Sequence, residues 1–384
     1  MERREFLAIP LFTAAGTNAQ TAARPRVAVI MTTWFPNSHA DVFVSRLLDG
    51  YRLNGTSHRP RLDTVSFYVD QFPLNDMARE QAEEFGIRIF PTIAEALRMG
   101  GDKIAVDGVA VIGEHGQYMR TARGSFAYPR RRFFDEVTKV MEQDGRVVPL
   151  LNDKYFAYDW DDATQMAARI KAMRIPFGCG STLPLTWRRP PLAFASGTEF
   201  DELLAVSYSD LEEHAYHAIE LLQAMAERRK GGESGVARIR CVEGEEVWRL
   251  ADRGEWSREL LDAALRHRVN PVPEGESTPQ AILIRYKDGL KATILNLNSH
   301  TRDYLFAARV KGKPSIEASC FYIQLYAHNH WSFMVRNFEQ LVLTRQPQTP
   351  MERTLLSTGI TLFGLQSRLE GGTWIDTPGL DMRY

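Results

Sequence analysis

Short apolar runs alternate with amphipathic segments through the first half of the chain. Val27 to Met31 is apolar throughout, as expected of a strand buried on both faces. Ser38 to Leu53 reads as a helix capped by Ser38, with Val42, Val44, Leu47 and Leu48 turned inward. Leu62 to Val69 is a second strand, ending at Asp70. Asn75 to Phe85 is a helix stopped by Gly86, and Ile87 to Phe90 is a third strand. A short helix over Thr92 to Met99 and a fourth strand, Val106 to Ile112, follow. Phe133 to Gln143 is helical. Val147 to Tyr155 then carries a buried strand ending in Asp153-Lys154, with a helix starting near Asp159 and a further strand at Ile175 to Phe177. Repeated strand–helix order predicts a parallel sheet wound on both sides.

The second half has a different rhythm. Leu203 to Ser207 is a strand and Leu211 to Arg229 a helix, after which strand-like runs follow one another. They are Ala281 to Tyr286, Lys291 to Leu297, Tyr304 to Val310 and Ser315 to Leu325, with Asp288-Gly289 as a hairpin signal between the first two. Strands without intervening helices predict an open, mostly antiparallel sheet. Two helices, Asn329 to Leu343 and Met351 to Leu369, close the chain. The Pro-rich stretch Pro184 to Pro191 is the expected boundary, dividing residues 24–188 from residues 189–384.

A chain of 384 residues has room for two such domains. With 25% charged residues and a formal net charge of -1, nothing favours nucleic acid or an anionic membrane as partner. No apolar run is long enough to span a bilayer. Cys179, Cys241 and Cys320 are isolated, so neither a disulfide framework nor a thiolate zinc site is expected. Residues 1–23 stand apart. Arg3-Arg4 precede Phe6-Leu7, an apolar stretch and then small residues, an order similar to a twin-arginine export signal. It predicts an exported, periplasmic protein whose mature chain starts near Ala22 to Arg24.

Candidate chemistry gathers at the predicted strand ends, where ligands bind in open α/β sheets. Lys154, beside Asp153, is placed for proton work. Glu213 and His217 share a helical face, so the carboxylate can orient the imidazole, with Glu212 as a fallback. Glu114-His115 ends the fourth strand and His39 opens the first helix. With Asp153 they could build a polar sugar site, although no ligand spacing marks a metal site. Asp70 ends its strand as a ribose-binding acid would, though a turn or cap is the commoner use. Arg130-Arg131-Arg132 reads as a solvated run rather than a phosphate site, and His328, Asn329, His330 and Trp331 either line the substrate pocket or cap a helix, with the cap favoured.

Several stretches together resemble the glucose–fructose oxidoreductase and inositol dehydrogenase (Gfo/Idh/MocA) family. They are Ala78 to Ile87, the strand Ile87 to Phe90 followed by Ala94 to Leu97, and Val106 to Ile112. Asp153-Lys154-Tyr155 stands where that family has Glu-Lys-Pro, and Ile175 to Gly180 is similar to its sixth strand. His217 within Tyr216 to Glu220 is similar to its catalytic histidine segment, and Glu213 falls where the family often has aspartate. The resemblance covers most of residues 26–230. It implies a Rossmann-like α/β domain followed by an α+β domain with a large open sheet, and an oligomer. It also implies a carbohydrate or polyol substrate, with Lys154, His217, Asp153 and Glu213 in catalysis. NAD(P) would lie near Ser38, His39, Asp70, Glu114 and His115.

One departure is plain. The loop Thr32 through Asp41 contains no glycine where the family has Gly-x-Gly-x-x-Gly, and it carries Trp34, Phe35 and Pro36. Asp41 would compete with an anion for the helix N-terminus. The resemblance and the export-like signal together imply an exported sugar- or polyol-acting enzyme of oxidoreductase-like architecture, with Lys/His acid–base chemistry at a carbon bearing a hydroxyl or carbonyl. The alternatives are a non-redox lyase, hydrolase or isomerase and a non-catalytic sugar-binding protein.

Overall fold

The computed structural model describes residues 23–384 apart from 273 and 326. The arginine pair of the export-like signal lies outside the described residues.

The first half forms, in order, β1 (Arg26–Met31), α1 (His39–Asp49), β2 (Tyr51–Leu53), β3 (Thr56–His58), β4 (Asp63–Val69), α2 (Ala78–Glu84) and β5 (Arg88–Ile89). Then come α3 (Ile93–Arg98), β6 (Gly108–Ile112), α4 (Arg130–Asp144), β7 (Leu150–Asp153), α5 (Trp160–Met173) and β8 (Phe177–Gly180). Six strands make a fully parallel sheet in the order β5-β4-β1-β6-β7-β8. Winding outward in both directions from β1 places helices on both faces, which is why β1 is apolar at every inner position. Val27, Val29 and Met31 pack toward α1, whereas Ala28 and Ile30 pack toward α3 and α4. Ser38, Thr92 and Asp159 cap α1, α3 and α5 through their side-chain oxygens, as their positions in the sequence suggest.

Helix α1 stops four residues earlier than expected. Gly50 takes φ +86, and a Cβ there would lie 2.5 Å from the His58 carbonyl oxygen. Tyr51 and Leu53 belong instead to the β2–β3 hairpin, turned by Asn54 and Gly55 at φ 52 and 82.

The second half contains β9 (Trp187–Arg189), β10 (Phe200–Ser207), α6 (Glu213–Ala226), β11 (Val236–Glu243), α7 (Glu245–Asp252), α8 (Arg258–Leu265), β12 (Gln280–Tyr286) and β13 (Lys291–Asn296). They are followed by β14 (Tyr304–Val310), β15 (Ile316–Tyr322), α9 (Trp331–Thr344), α10 (Met351–Leu369) and β16 (Ile375–Asp376). The eight-stranded sheet runs β16-β11-β12-β13-β10-β14-β15-β9 and is antiparallel except for the β10–β13 pair. One face packs on α6 and α10. The other is covered by α7 and α8, through Val247, Leu250, Leu260 and Ala264, with Trp256 from the turn between them. These two helices and β11 had no counterpart in the sequence reading.

The closing helices return to the first sheet. Trp331, Met334, Val335, Phe338 and Val342 of α9 complete the core between α1 and the sheet. Gly108 of β6 makes the approach possible, since a Cβ there would sit 2.6 Å from Val342 Cγ2. Met351 and Leu355 of α10 join the core on the opposite face. Among the described residues no helix is long and apolar enough to cross a membrane.

Candidate active site

The carboxyl ends of β1, β6, β7 and β8 meet the start of α6 and the approach to α9 around a cavity of about 220 Å³. Six of the nine histidines line it: His39, His115, His214, His217, His328 and His330. Glu114, Lys154, Glu213, Tyr208, Tyr304 and Trp331 complete the polar and aromatic wall.

Lys154 adopts φ +68, and its backbone pairs in both directions with Gly180 of β8, at 3.0 and 3.3 Å. This kink carries the side chain inward. Nζ donates to Glu114 Oε1 at 2.6 Å, while Arg130 donates to the other oxygen of the same carboxylate. All three groups are essentially excluded from solvent, at 2%, 2% and 0% exposure, and Arg130 also lies over the Tyr155 ring. Burial would raise the Glu114 carboxyl, but Lys154 and Arg130 outweigh it and hold the group ionised, well below the usual carboxylate range. Asp153 points the other way and meets His39 Nδ1 at 2.6 Å. The His39 ring then packs between His115 and Trp331, with centroids at 5.1 and 4.5 Å.

His217 is anchored by the Ser181 hydroxyl, 2.7 Å from Nδ1, and that hydroxyl also accepts from Leu183 N–H at 3.0 Å. Burial, reinforced by Lys154, His39 and His214, pushes the imidazole well below its ordinary value. The ring is therefore neutral near pH 7, with Nε2 left for a ligand. The expected Glu213–His217 contact does not form. Glu213 accepts instead from the Tyr128 hydroxyl at 3.2 Å, because the Ser181 loop lies nearer the histidine. Glu212 turns away to Tyr155 and to Phe126 N–H.

Burial pushes His115 and His214 down to about 4 and His330 to about 3. Each keeps one buried ring nitrogen without a partner among the described residues: His115 Nε2, His214 Nδ1 and His330 Nδ1. Unpaired nitrogens of this kind suit the hydroxyls of a polar ligand. Among the described residues no group of three or more His, Cys, Asp or Glu is arranged to hold a metal ion.

A dinucleotide does not fit the first loop. Ser38 Oγ accepts from the amides of Phe35 and Asp41, both at 3.2 Å, and Asp41 Oδ2 accepts from Asn37 N–H at 2.8 Å. Ser38 N–H is spent on the Phe35 carbonyl, and Pro36 has none to give. An internal carboxylate thus occupies the place of a phosphate at the start of α1. Trp34 is buried in the core against Phe67, away from the crevice. Asp70 is equally committed, accepting from the Tyr68 and Tyr118 hydroxyls at 2.7 Å each and from Arg132. Gln71 and Gln117 then bridge the loops after β4 and β6 by reciprocal bonds of 2.8 and 3.2 Å. Since β1 lies between those strands, the bridge links the loops on either side of its carboxyl end.

Two sequence expectations are corrected. Arg130 is not solvated: it begins α4 under the crevice, where Glu114 and the Tyr155 ring hold it. Arg131 and Arg132 pair with Asp162 and Asp70. His328, His330 and Trp331 line the cavity rather than cap α9, whose first turn has no side-chain cap bond. Ser181, His214, Tyr208 and Tyr304 were missed. The strand-end rule that found Lys154 would also have found Ser181, one residue past β8. His214 shares its helical face with His217.

No family model matches the chain, and no curated protein sequence is similar to it. Solved structures are. Scyllo-inositol dehydrogenase from Lactobacillus casei superposes with a TM-score of 0.59 at 9% identity, covering 92% of this chain and 98% of that one. Myo-inositol dehydrogenase from Corynebacterium glutamicum gives 0.56 at 11% identity, covering 92% and 98%. UDP-N-acetylglucosamine 3-dehydrogenase from Acidithiobacillus ferrooxidans gives 0.54 at 12% identity, covering 89% and 97%. At such identities the likeness is one of fold. In that sense the resemblance read from the sequence holds: the chain has the two-domain fold of the inositol and sugar dehydrogenases of the Gfo/Idh/MocA family.

Proposed function

We propose that this protein acts on a carbohydrate or polyol by proton transfer at a carbon bearing a hydroxyl or carbonyl. It does so as a lyase or isomerase, without an exchangeable nicotinamide dinucleotide. The observation that carries the reading is His217: a buried, neutral imidazole tied at Nδ1 to Ser181 and sharing one cavity with the Lys154 ammonium. With a substrate carbonyl oxygen on Lys154, His217 Nε2 takes the proton from the adjacent carbon. Charge then develops on an oxygen already facing a cation, the arrangement that lowers such barriers. Returning the proton elsewhere gives an isomerase; losing a group from the next carbon gives a lyase. Inositol and sugar dehydrogenases among the fold neighbours support the ligand class. The Arg3-Arg4 pattern supports export.

The fold likeness favours a second reading, a dehydrogenase with a tightly held nicotinamide. Incubating the purified chain with candidate sugars and ketosugars in D2O separates the two. We expect NMR-detected exchange of one C–H, slowed by about 10²–10⁴-fold in His217→Ala and Lys154→Ala. Co-purifying nicotinamide absorbance with hydride transfer, or exchange unchanged in both variants, would overturn the proposal.

A further inference from the structure

Beside the histidine cavity lies a larger cleft of about 790 Å³, at the carboxyl ends of β1, β4 and β6. This is where the fold's parallel sheet offers a nucleotide site, and the loop geometry above withholds its phosphate and ribose contacts. The cleft is open nonetheless. It adjoins the histidine cavity directly, because His115 and Glu213 line both.

Its wall is aromatic and amide-bearing: Phe35, Phe72, Phe126 and Tyr128 with Gln71 and Gln117. Arg120 is the cation on this wall, and its guanidinium lies over Phe126 at 3.8 Å. The rim is apolar as well. Phe72, Leu74 and Met119, on the two loops that flank the cleft, are exposed at 38%, 111% and 82%. Large apolar side chains standing in water beside a concave site mark a surface that is covered when the site is filled. Aromatic rings and amides together suit an uncharged ring with a hydroxylated edge and an apolar C–H face.

We propose that the former nucleotide cleft is a second subsite, so that the substrate is a glycoside rather than a free sugar. The reacting ring enters the histidine cavity, and its glycosidic partner, an uncharged ring with an apolar face, lies in the cleft. This rests on the proposed carbohydrate function and adds the size of the substrate to it. The partner ring is a second sugar or an aryl aglycone, two sources of the same chemistry.

The test titrates the full chain with glucose, galactose and xylose, each as the free sugar, as a homologous disaccharide and as the 4-nitrophenyl glycoside. Binding is followed by calorimetry, with NAD and ADP as competitors. The expected result is that at least one extended form binds about tenfold or more tightly than its free sugar. Phe72→Ala and Arg120→Ala remove that gain and leave free-sugar affinity unchanged. Both side chains are exposed, so the fold tolerates their loss. A disaccharide or a nitrophenyl preference identifies the partner ring. Binding independent of length, a gain that survives both substitutions, or displacement of the glycoside by NAD would overturn the subsite while leaving the carbohydrate function intact. Absence of binding by every saccharide overturns the function itself, and the subsite with it.

Discussion

The Ser181 hydroxyl sits 2.7 Å from His217 Nδ1, so a residue one position past the last parallel strand sets the orientation of a histidine on the first helix of the other half. Ser181 is a positioning residue. Ser181→Ala is expected to lower kcat roughly tenfold with KM nearly unchanged. Ser181→Thr, which restores a hydroxyl, should recover most of the loss. Equal damage by both substitutions would mean that packing, not the hydrogen bond, is what matters.

The burial of His217 fixes the direction of the pH dependence. Its pKa lies below 6.5, so the neutral ring persists as pH falls through the range where an exposed histidine takes up a proton. If the neutral imidazole is the working form, kcat/KM holds down through pH 6.5 and its acid limb falls lower. A limb at or above 6.5 in the wild-type profile, shifting in step with His217 substitutions, would contradict this.

Glu114 is the only carboxylate that pairs with both Lys154 and Arg130 among the described residues. Replacing it by glutamine takes from two buried cations the one carboxylate that both touch. Glu114→Gln is expected to destabilise the chain by about 3–5 kcal/mol in urea unfolding, the cost of breaking a buried pair. A loss under about 1 kcal/mol would show that water or another acid reaches the site.

Helices α7 and α8 cover the face of the large sheet that α6 and α10 leave bare. An oligomer built on that face would need apolar residues that are already spent within the chain. We expect light scattering to give the mass of one chain at micromolar concentration. A stable dimer would require a different surface.

Much of the architecture was legible because its signals are local. Apolar runs marked β1, β6 and β7, and side-chain caps at Ser38, Thr92 and Asp159 marked three helix starts. The misses have physical causes. In β11 a register irregularity between Val236 and Arg238 breaks the alternation by which a strand is recognised. Helices α7 and α8 have eight residues each, too short to be stable alone, and they exist by docking on the sheet. At the site, Lys154 was visible from a strand end, and His217 through the family resemblance rather than from its helix alone. The contributions of His328 and His330 depend on where α9 lies in space, which no local pattern records. Arg130 was misread because a charge run reveals composition but not which member turns inward.

Helix α9 carries one more consequence. Its residues fill the groove between α1 and the parallel sheet, although more than 300 residues of chain are made before them. During synthesis the six strands of the parallel sheet leave the ribosome with one flank of their core unfinished, awaiting a segment that follows β15. The two sheets are therefore not successive beads that fold as they emerge. The first sheet is completed only by a helix made after β15, and a protein cut between the two sheets would lack the α9 residues that share a core with Val27, Val29 and Phe43.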